Sequence, residues 1–331
     1  MIKKETPRLE GRGAAYTKAT VRSTTNEPWH GYSNMVRAKT QAQRLSAIYY
    51  RAGVEVTPTY TRRGQRTAMC SNVVGVQNGK VVVQWRCEDR LCPICAVKSS
   101  RRVAANARMV IERAQCEAKL IPYMLTLTQK NCSREQLKER ISDMIAAWDS
   151  ISHSLRANRR YMQGYARTIE ITVNYRDNTY HPHLHSILLL TPDAPREMLR
   201  AHYWGLLWQK YMDTRRYQGI IVPICDIRKI RPNVRRHITS TAAAAAEVSK
   251  YMTKSSMILS HSNAYEHILV IDEATRGRRL RAYGGVWRDI RRQLRLEDAV
   301  TATEPDAEYI ANASIDIWQW AGATCTYEKV L

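Results

Sequence analysis

Apolar positions recur along this chain with two periods, and the period changes from stretch to stretch. Val73-Val74-Gly75-Val76 and Val81-Val82-Val83-Gln84-Trp85 flank Asn78-Gly79, a pair that accepts the positive φ angles of a tight hairpin turn. Tyr123 to Thr128 is an apolar run of buried-strand length. Arg167 to Asn174 alternates Ile169, Ile171 and Val173 with Glu170 and Thr172, which sends the two sets to opposite faces of a strand. A second strand runs from the histidines at 181–185 to Leu190, and the loop 175–179 between the two suits an antiparallel hairpin. A further strand spans about 221–230.

Helical spacing fills most of the remainder. Ser33 to Arg51 carries Met35, Leu45, Ile48 and Tyr49 among basic residues, a weakly amphipathic helix that Gly53 is expected to stop. A helix is expected near 97–118. Ser133 with Gln136 in the capping-box position begins another, ending near Leu155. Pro195 precedes a third with Met198, Leu199, Tyr203, Leu206, Leu207 and Tyr211 on its apolar face; Trp204, Trp208 and Tyr211 read as core, although rings among cations also suit stacking on bases. Thr239 to Met257, with five alanines from Ala242 to Ala246, is helical on propensity. Together these elements predict an α+β protein. They divide it into a basic N-terminal arm and helix over 1–66, with 1–32 as a loose arm, a cysteine-bearing module over 67–119, a main domain over 120–296 and an acidic tail over 297–331.

Composition narrows the partner. Among 331 residues, 52 Lys and Arg face 30 Asp and Glu, and the net charge of +22 exceeds what solubility needs and points to a polyanion. No apolar run approaches the roughly 20 residues of a spanning helix, so nucleic acid is favoured over membrane and the chain reads as cytoplasmic. Its eight cysteines should then be thiols or metal ligands. Cys70, Cys87, Cys92 and Cys95 give the spacing C-x16-C-x4-C-x2-C, in which a C-x2-C knuckle and a hairpin bring four thiolates to one structural Zn²⁺. Cys116, Cys132, Cys225 and Cys325 lack ligand spacing.

Two further segments carry candidate chemistry. His181-Pro182-His183-Leu184-His185 puts imidazoles on one strand face, able to chelate a divalent ion if a third ligand comes from a neighbouring strand. Glu247, Tyr251 and Lys254 form one stripe of a helix, and a phenol becomes a competent nucleophile once a cation stabilises the charge moving onto phosphate.

In order along the chain, Met124-Leu125-Thr126-Leu127-Thr128, Tyr180-His181-Pro182-His183-Leu184-His185 and Glu247-x-x-Lys250-Tyr251-x-x-Lys254 resemble the rolling-circle plasmid replication initiators, Rep proteins of the HUH endonuclease superfamily. Cys92-Pro93-x-Cys95 followed by Arg101 and Arg102 resembles the N-terminal zinc element of its single-tyrosine branch. The resemblance implies an antiparallel sheet of about five strands flanked by helices, with the Tyr251 helix against its active face. It implies Mg²⁺ or Mn²⁺ on His183 and His185, attack by Tyr251 on single-stranded or hairpin origin DNA, a 5′-phosphotyrosyl link and a free 3′-hydroxyl. Glu247 would then serve as base for water at termination. Host helicase and replication machinery would be partners. Glu170 on the adjacent strand is the first choice for third ligand and His181 the alternative. Arg288, Arg291 and Arg292, with Lys250, are the expected DNA contacts. The alternatives are an HUH-type transposase and a non-enzymatic zinc-containing DNA-binding protein.

Overall fold

The computed structural model describes residues 28–157, 160–213, 224–230, 255–296 and 315–330. Its centre is an antiparallel sheet of five strands: β3 (Ile121–Thr128), β4 (Met162–Asn174), β5 (Thr179–Leu190), β6 (Cys225–Lys229) and β7 (Arg281–Gly285). They lie in the order β6-β3-β5-β4-β7, as expected for the strand number. Alternation gives this sheet two apolar faces. Leu125, Leu127, Ile169, Leu184 and Leu188 point to α4 (Arg134–Ala157) and α5 (Ala201–Asp213), with α7 (Ala264–Thr275) packed against α4 and the short α6 (Ser255–Leu259) against α7. Met124, Ala166, Ile187 and Leu189 point the other way, under α3 (Pro93–Ala118) and α8 (Val286–Gln293). Trp204 and Trp208 are fully buried, their indole N–H groups donating to Met198 O at 2.7 Å and Thr128 O at 3.0 Å. They belong to the core.

Helix α1 (Tyr32–Glu55) runs through Gly53 instead of stopping there, and α2 (Thr59–Met69) packs against it. The reason is contact: a Cβ at Gly53 would collide with the hydroxyl and backbone of Thr61. Helix propensity therefore yields to the close approach of a neighbour. Helix α3 also starts earlier than its spacing predicts, with Pro93 in its first turn. At the start of α4 the Ser133 N–H donates to Gln136 Oε1 at 3.2 Å, half of the predicted capping box.

A second, four-stranded antiparallel sheet joins distant parts of the chain. Strands β1 (Val73–Gln77) and β2 (Lys80–Gln84) form the expected hairpin, with Asn78 and Gly79 both at positive φ. Beside β1 lie β8 (Asp316–Ala321) and β9 (Thr326–Lys329), in the order β2-β1-β8-β9. Thus the end of the segment read as an acidic tail is sheet, and its Trp320 and Tyr327 pack with Val74, Val76 and Trp29. Trp29, in the stretch read as a loose arm, is 3% exposed.

An ionic cluster ties the helical N-terminal part to the main domain. Arg63 of α2 donates to Asp89 and, through both terminal nitrogens, to Asp272 of α7, which also accepts from Tyr60 and Arg276. Burial disfavours the Asp272 carboxylate, but Arg63, Arg276 and Tyr60 outweigh it and hold its pKa below the ordinary 3.8. Asp272→Asn is expected to lower stability by about 2 kcal/mol, since the amide keeps one acceptor oxygen but removes the charge that balances the guanidinium groups of Arg63 and Arg276. A depressed carboxyl stabilises fully above its unfolded pKa and loses its effect as pH falls through the folded one. The melting-temperature gap between wild type and Asp272→Asn should therefore persist from pH 7 to pH 5 and close below about pH 3.8, which a pH series of thermal melts reads directly.

Candidate metal centres

The histidine strand lies at the middle of the five-stranded sheet, with β3 on one side and β4 on the other. Register sets Glu170 directly opposite His183, and Thr168 and Thr126 opposite His185 on its two sides. All these side chains share the face that α3 covers farther along, at Ile187 and Leu189. Glu170 Oε2 stands 3.3 Å from His183 Nε2 and 3.3 Å from His185 Nε2. Burial works against the charge on Glu170, yet hydrogen bonds and charge from the two imidazoles prevail and hold its carboxyl well below the usual carboxylate range.

The other ring nitrogens decide which atoms face the carboxylate. His183 Nδ1 lies 3.3 Å from the His181 carbonyl oxygen. A carbonyl only accepts, so Nδ1 carries the proton and Nε2 is left with its lone pair or a second proton. His185 Nδ1 is 3.2 Å from Thr126 Oγ1, which can accept in the same way. Two imidazole nitrogens and a carboxylate oxygen converging at 3.3 Å form a group that could hold a metal ion. A donor set of one oxygen and two nitrogens suits a divalent ion with open positions. His181 falls outside this convergent group; burial first, then the neighbouring His183, lowers its pKa.

The second cluster is all sulfur. Cys70 ends α2, Cys87 follows β2, and Cys92 and Cys95 sit at the N-terminus of α3. Their sulfur atoms lie within 4.8 Å of one another, and the nearest pairs are 3.6, 3.6 and 3.7 Å apart. A tetrahedron with arms of about 2.3 Å has edges near 3.8 Å, whereas bonded sulfurs would stand about 2.05 Å apart. The four residues are at most 6% exposed. Tetrahedral coordination of one ion therefore fits both spacing and chemistry.

A residue absent from the sequence reasoning completes this site. Lys39 of α1 is 0% exposed, and its ammonium donates to Ala68 O at 2.7 Å and Cys70 O at 2.8 Å. Burial pushes its pKa down to about 8, against the opposing pull of Cys70, Cys92 and Cys87. A buried cation offsets part of the charge that four thiolates gather. Nothing in its surroundings, Ala38-Lys39-Thr40, sets it apart from the other basic residues of that helix.

Of the other expected site residues, Arg288 and Arg292 are exposed on α8, and the Arg291 guanidinium stacks 4.0 Å from the Tyr283 ring. Glu247, Lys250, Tyr251 and Lys254 lie outside the described residues, as does the helix expected to carry them up to residue 254; its expected end, Ser255 to Met257, is helical. Among the described residues no helix is long and apolar enough to cross a membrane.

This is thus an α+β protein of net charge +22 that carries two donor clusters, one of four sulfurs and one of carboxylate and imidazole, each able in principle to hold a metal ion. The chain belongs to the replication protein family, whose model matches residues 78–327, more than half of its length. It is 26% identical over 314 residues to "Protein rep" of Bacillus amyloliquefaciens, covering 87% of this chain and 89% of that protein. "Protein rep" of Lentilactobacillus hilgardii is 33% identical over 65% of this chain and 68% of its own, and that of Lactiplantibacillus plantarum 30% identical over 66% and 69%. No solved structure matches.

Proposed function

We propose that this replication protein nicks and rejoins single-stranded DNA at a plasmid origin, in the manner of HUH endonucleases, and so starts and ends rolling-circle replication. The observation that carries the reading is the convergence of Glu170 Oε2 on His183 Nε2 and His185 Nε2, on one face of the sheet. Glu170, His183 and His185 would hold Mg²⁺ or Mn²⁺, which as a Lewis acid withdraws charge from a phosphodiester oxygen. Thr126 and the His181 carbonyl keep the two rings turned so that Nε2 faces the carboxylate.

Tyr251 is the nucleophile. Its phenol oxygen attacks phosphorus and loses its proton, the bond from phosphorus to the 3′-oxygen breaks, and that oxygen takes up a proton. The result is a 5′-phosphotyrosyl link and a free 3′-hydroxyl to prime synthesis. Lys254, three residues on in sequence, offsets charge on phenolate and phosphate. At termination Glu247 takes a proton from water, which hydrolyses the tyrosyl ester. The four cysteines would hold a structural Zn²⁺. Arg288, Arg292 and Lys250 lead the strand in, and a host helicase opens the duplex beyond it.

Incubating the protein with a random pool of labelled single strands and Mn²⁺ should give an adduct that survives denaturant. Mass spectrometry should find DNA on Tyr251, and sequencing should return one common motif. Tyr251→Phe should lower adduct yield by about 10³-fold or more. An undiminished yield from that variant would reject the nucleophile. Metal-independent binding with no adduct would favour a non-enzymatic DNA-binding protein.

A further inference from the structure

The hairpin of β4 and β5 carries all three donors of the carboxylate–imidazole cluster, and its turn is gripped by rings from another part of the chain. Tyr175 is the first residue beyond β4, and its ring stacks on His261 with centroids 4.0 Å apart and planes 16° from parallel. His267 of α7 meets the same ring edge-on at 5.5 Å. On the other side of the turn, the Tyr180 hydroxyl is 3.0 Å from His267 Nδ1. Two tyrosines of the hairpin thus interlock with two histidines that lie on either side of the start of α7. Rings in stacked and edge-on contact fix one another's orientation as well as burying area.

The segment held in this way has a second, separate support. Helix α6 packs against α1 as well as α7. Gln41 of α1 donates to Ser260 Oγ at 3.2 Å, and the Arg51 guanidinium lies 4.0 Å over the ring of Tyr265, whose hydroxyl donates to Glu55. Residues 255–265 therefore sit between the turn of the hairpin and the N-terminal helix. Tyr251 precedes this segment by four residues in the sequence. Four residues span at most roughly 14 Å, so the Tyr251 Cα stays within that reach of the Ser255 Cα whatever path the chain takes. Tyr180 alternates with His181 and His183, so the interlocked rings lie on the face opposite the donor cluster. A nucleophile acting at the cluster must reach it across the margin of the hairpin, and the place from which the chain sets out decides whether four residues suffice.

We propose that Tyr175 is a positioning residue of the nicking reaction: stacked on His261, it holds the chain that follows Tyr251 against the same hairpin that presents Glu170, His183 and His185. One hairpin then references both halves of the chemistry, the cation site through its strands and the nucleophile through its turn. The hairpin is itself pinned. Cys132 and Tyr180 exchange backbone hydrogen bonds of 2.8 and 2.9 Å, which tie the start of β5 to the chain just ahead of α4. Tyr175 acts through His261 and not on the reacting atoms, so its contribution is geometric: a misplacement of about 1 Å costs on the order of 10²-fold in rate.

The inference rests on the nicking reading for its nucleophile, and the experiment separates the two. Tyr175 is 36% exposed, so Tyr175→Ala should fold, which thermal melts check. With labelled single-stranded DNA and Mn²⁺, Tyr175→Ala should form adduct about 30-fold more slowly, while its affinities for Mn²⁺ and for the strand stay within about twofold of wild type. Tyr175→Phe should restore the rate, because it keeps the ring that stacks. His261→Ala should slow the reaction to a similar extent, and the double variant should be no slower than either single one. Amide exchange over residues 256–261 should quicken in Tyr175→Ala. A wild-type adduct rate in folded Tyr175→Ala overturns the proposal. So does a loss of strand affinity large enough to account for the slower rate, which would make Tyr175 a DNA contact. If Tyr175→Ala does not fold, a wild-type rate in His261→Ala overturns it instead. Wild-type adduct with an undiminished Tyr175→Ala rate removes the positioning role alone. No adduct from the wild type, with faster exchange in Tyr175→Ala, removes the nicking reading and leaves the grip.

Discussion

His185→Ala is expected to lower covalent adduct formation by about 10³-fold or more while leaving single-strand affinity without added divalent ion within about twofold. The expectation follows from position. His185 Nε2 is one of two nitrogens within 3.3 Å of Glu170 Oε2, so removing it opens the donor set to a single imidazole and a carboxylate. Divalent-ion affinity then falls steeply, because each of three protein donors is needed to compete with water. The fold should survive, since His185 is 14% exposed and its ring contacts are to Thr126, His183 and Glu170. Mn²⁺ titration calorimetry and quantitative adduct gels on the same preparation would check it. Normal nicking by a variant that no longer binds Mn²⁺ would break the link between the cluster and the chemistry.

Cys95→Ser should have the largest effect on stability. Cys95 Sγ is 3.6 Å from both Cys70 Sγ and Cys87 Sγ, so its loss undoes two edges of the tetrahedron at once. Structural zinc contributes about 10–16 kcal/mol of apparent binding energy in small domains, so the module around the cluster should lose order altogether. Elemental analysis should show about one zinc per wild-type chain and none in the variant. Limited proteolysis should open sites between α2 and α3. Chelator treatment of the wild type should produce the same fragments, and metal-free protein that resists both protease and heat would contradict the assignment.

Much of this was readable from local pattern, and what was not has a common cause. The antiparallel hairpin of β4 and β5 is set by its short loop, with Asn174 opposite Thr179, and that register alone brings Glu170 to His183. Alternation in each strand and loop length are both visible in the chain, so the placement of Glu170 beside the two histidines is legible there. Cysteine spacing with Asn78-Gly79 located the sulfur cluster for the same reason. Thr126 and Lys39 reach their sites through pairings distant in sequence, which no periodicity encodes. Gly53 was misread because isolated propensity opposes glycine in a helix, while a neighbouring helix here requires it. The alternation Ile317-Trp318-Gln319-Trp320 was hidden by the acidic residues around it, although the same stretch is β8.

That late strand has a consequence for how the protein comes to exist in the cell. One edge of β1 pairs with β2, but the other finds its partner in Asp316 to Gln319, and Tyr327 OH donates to Ser71 O at 2.7 Å, beside the first cysteine. At about 5–20 residues per second, ribosomes take on the order of 10–50 s to deliver the second half of this sheet after the first. During that interval Val74, Val76 and Trp29 have no tryptophan or tyrosine from β8 and β9 to cover them. A nascent chain is thus barred from finishing its sulfur-bearing lobe before nearly all of it has been translated, and prematurely terminated products would be handed to proteases instead of being released as competent initiators.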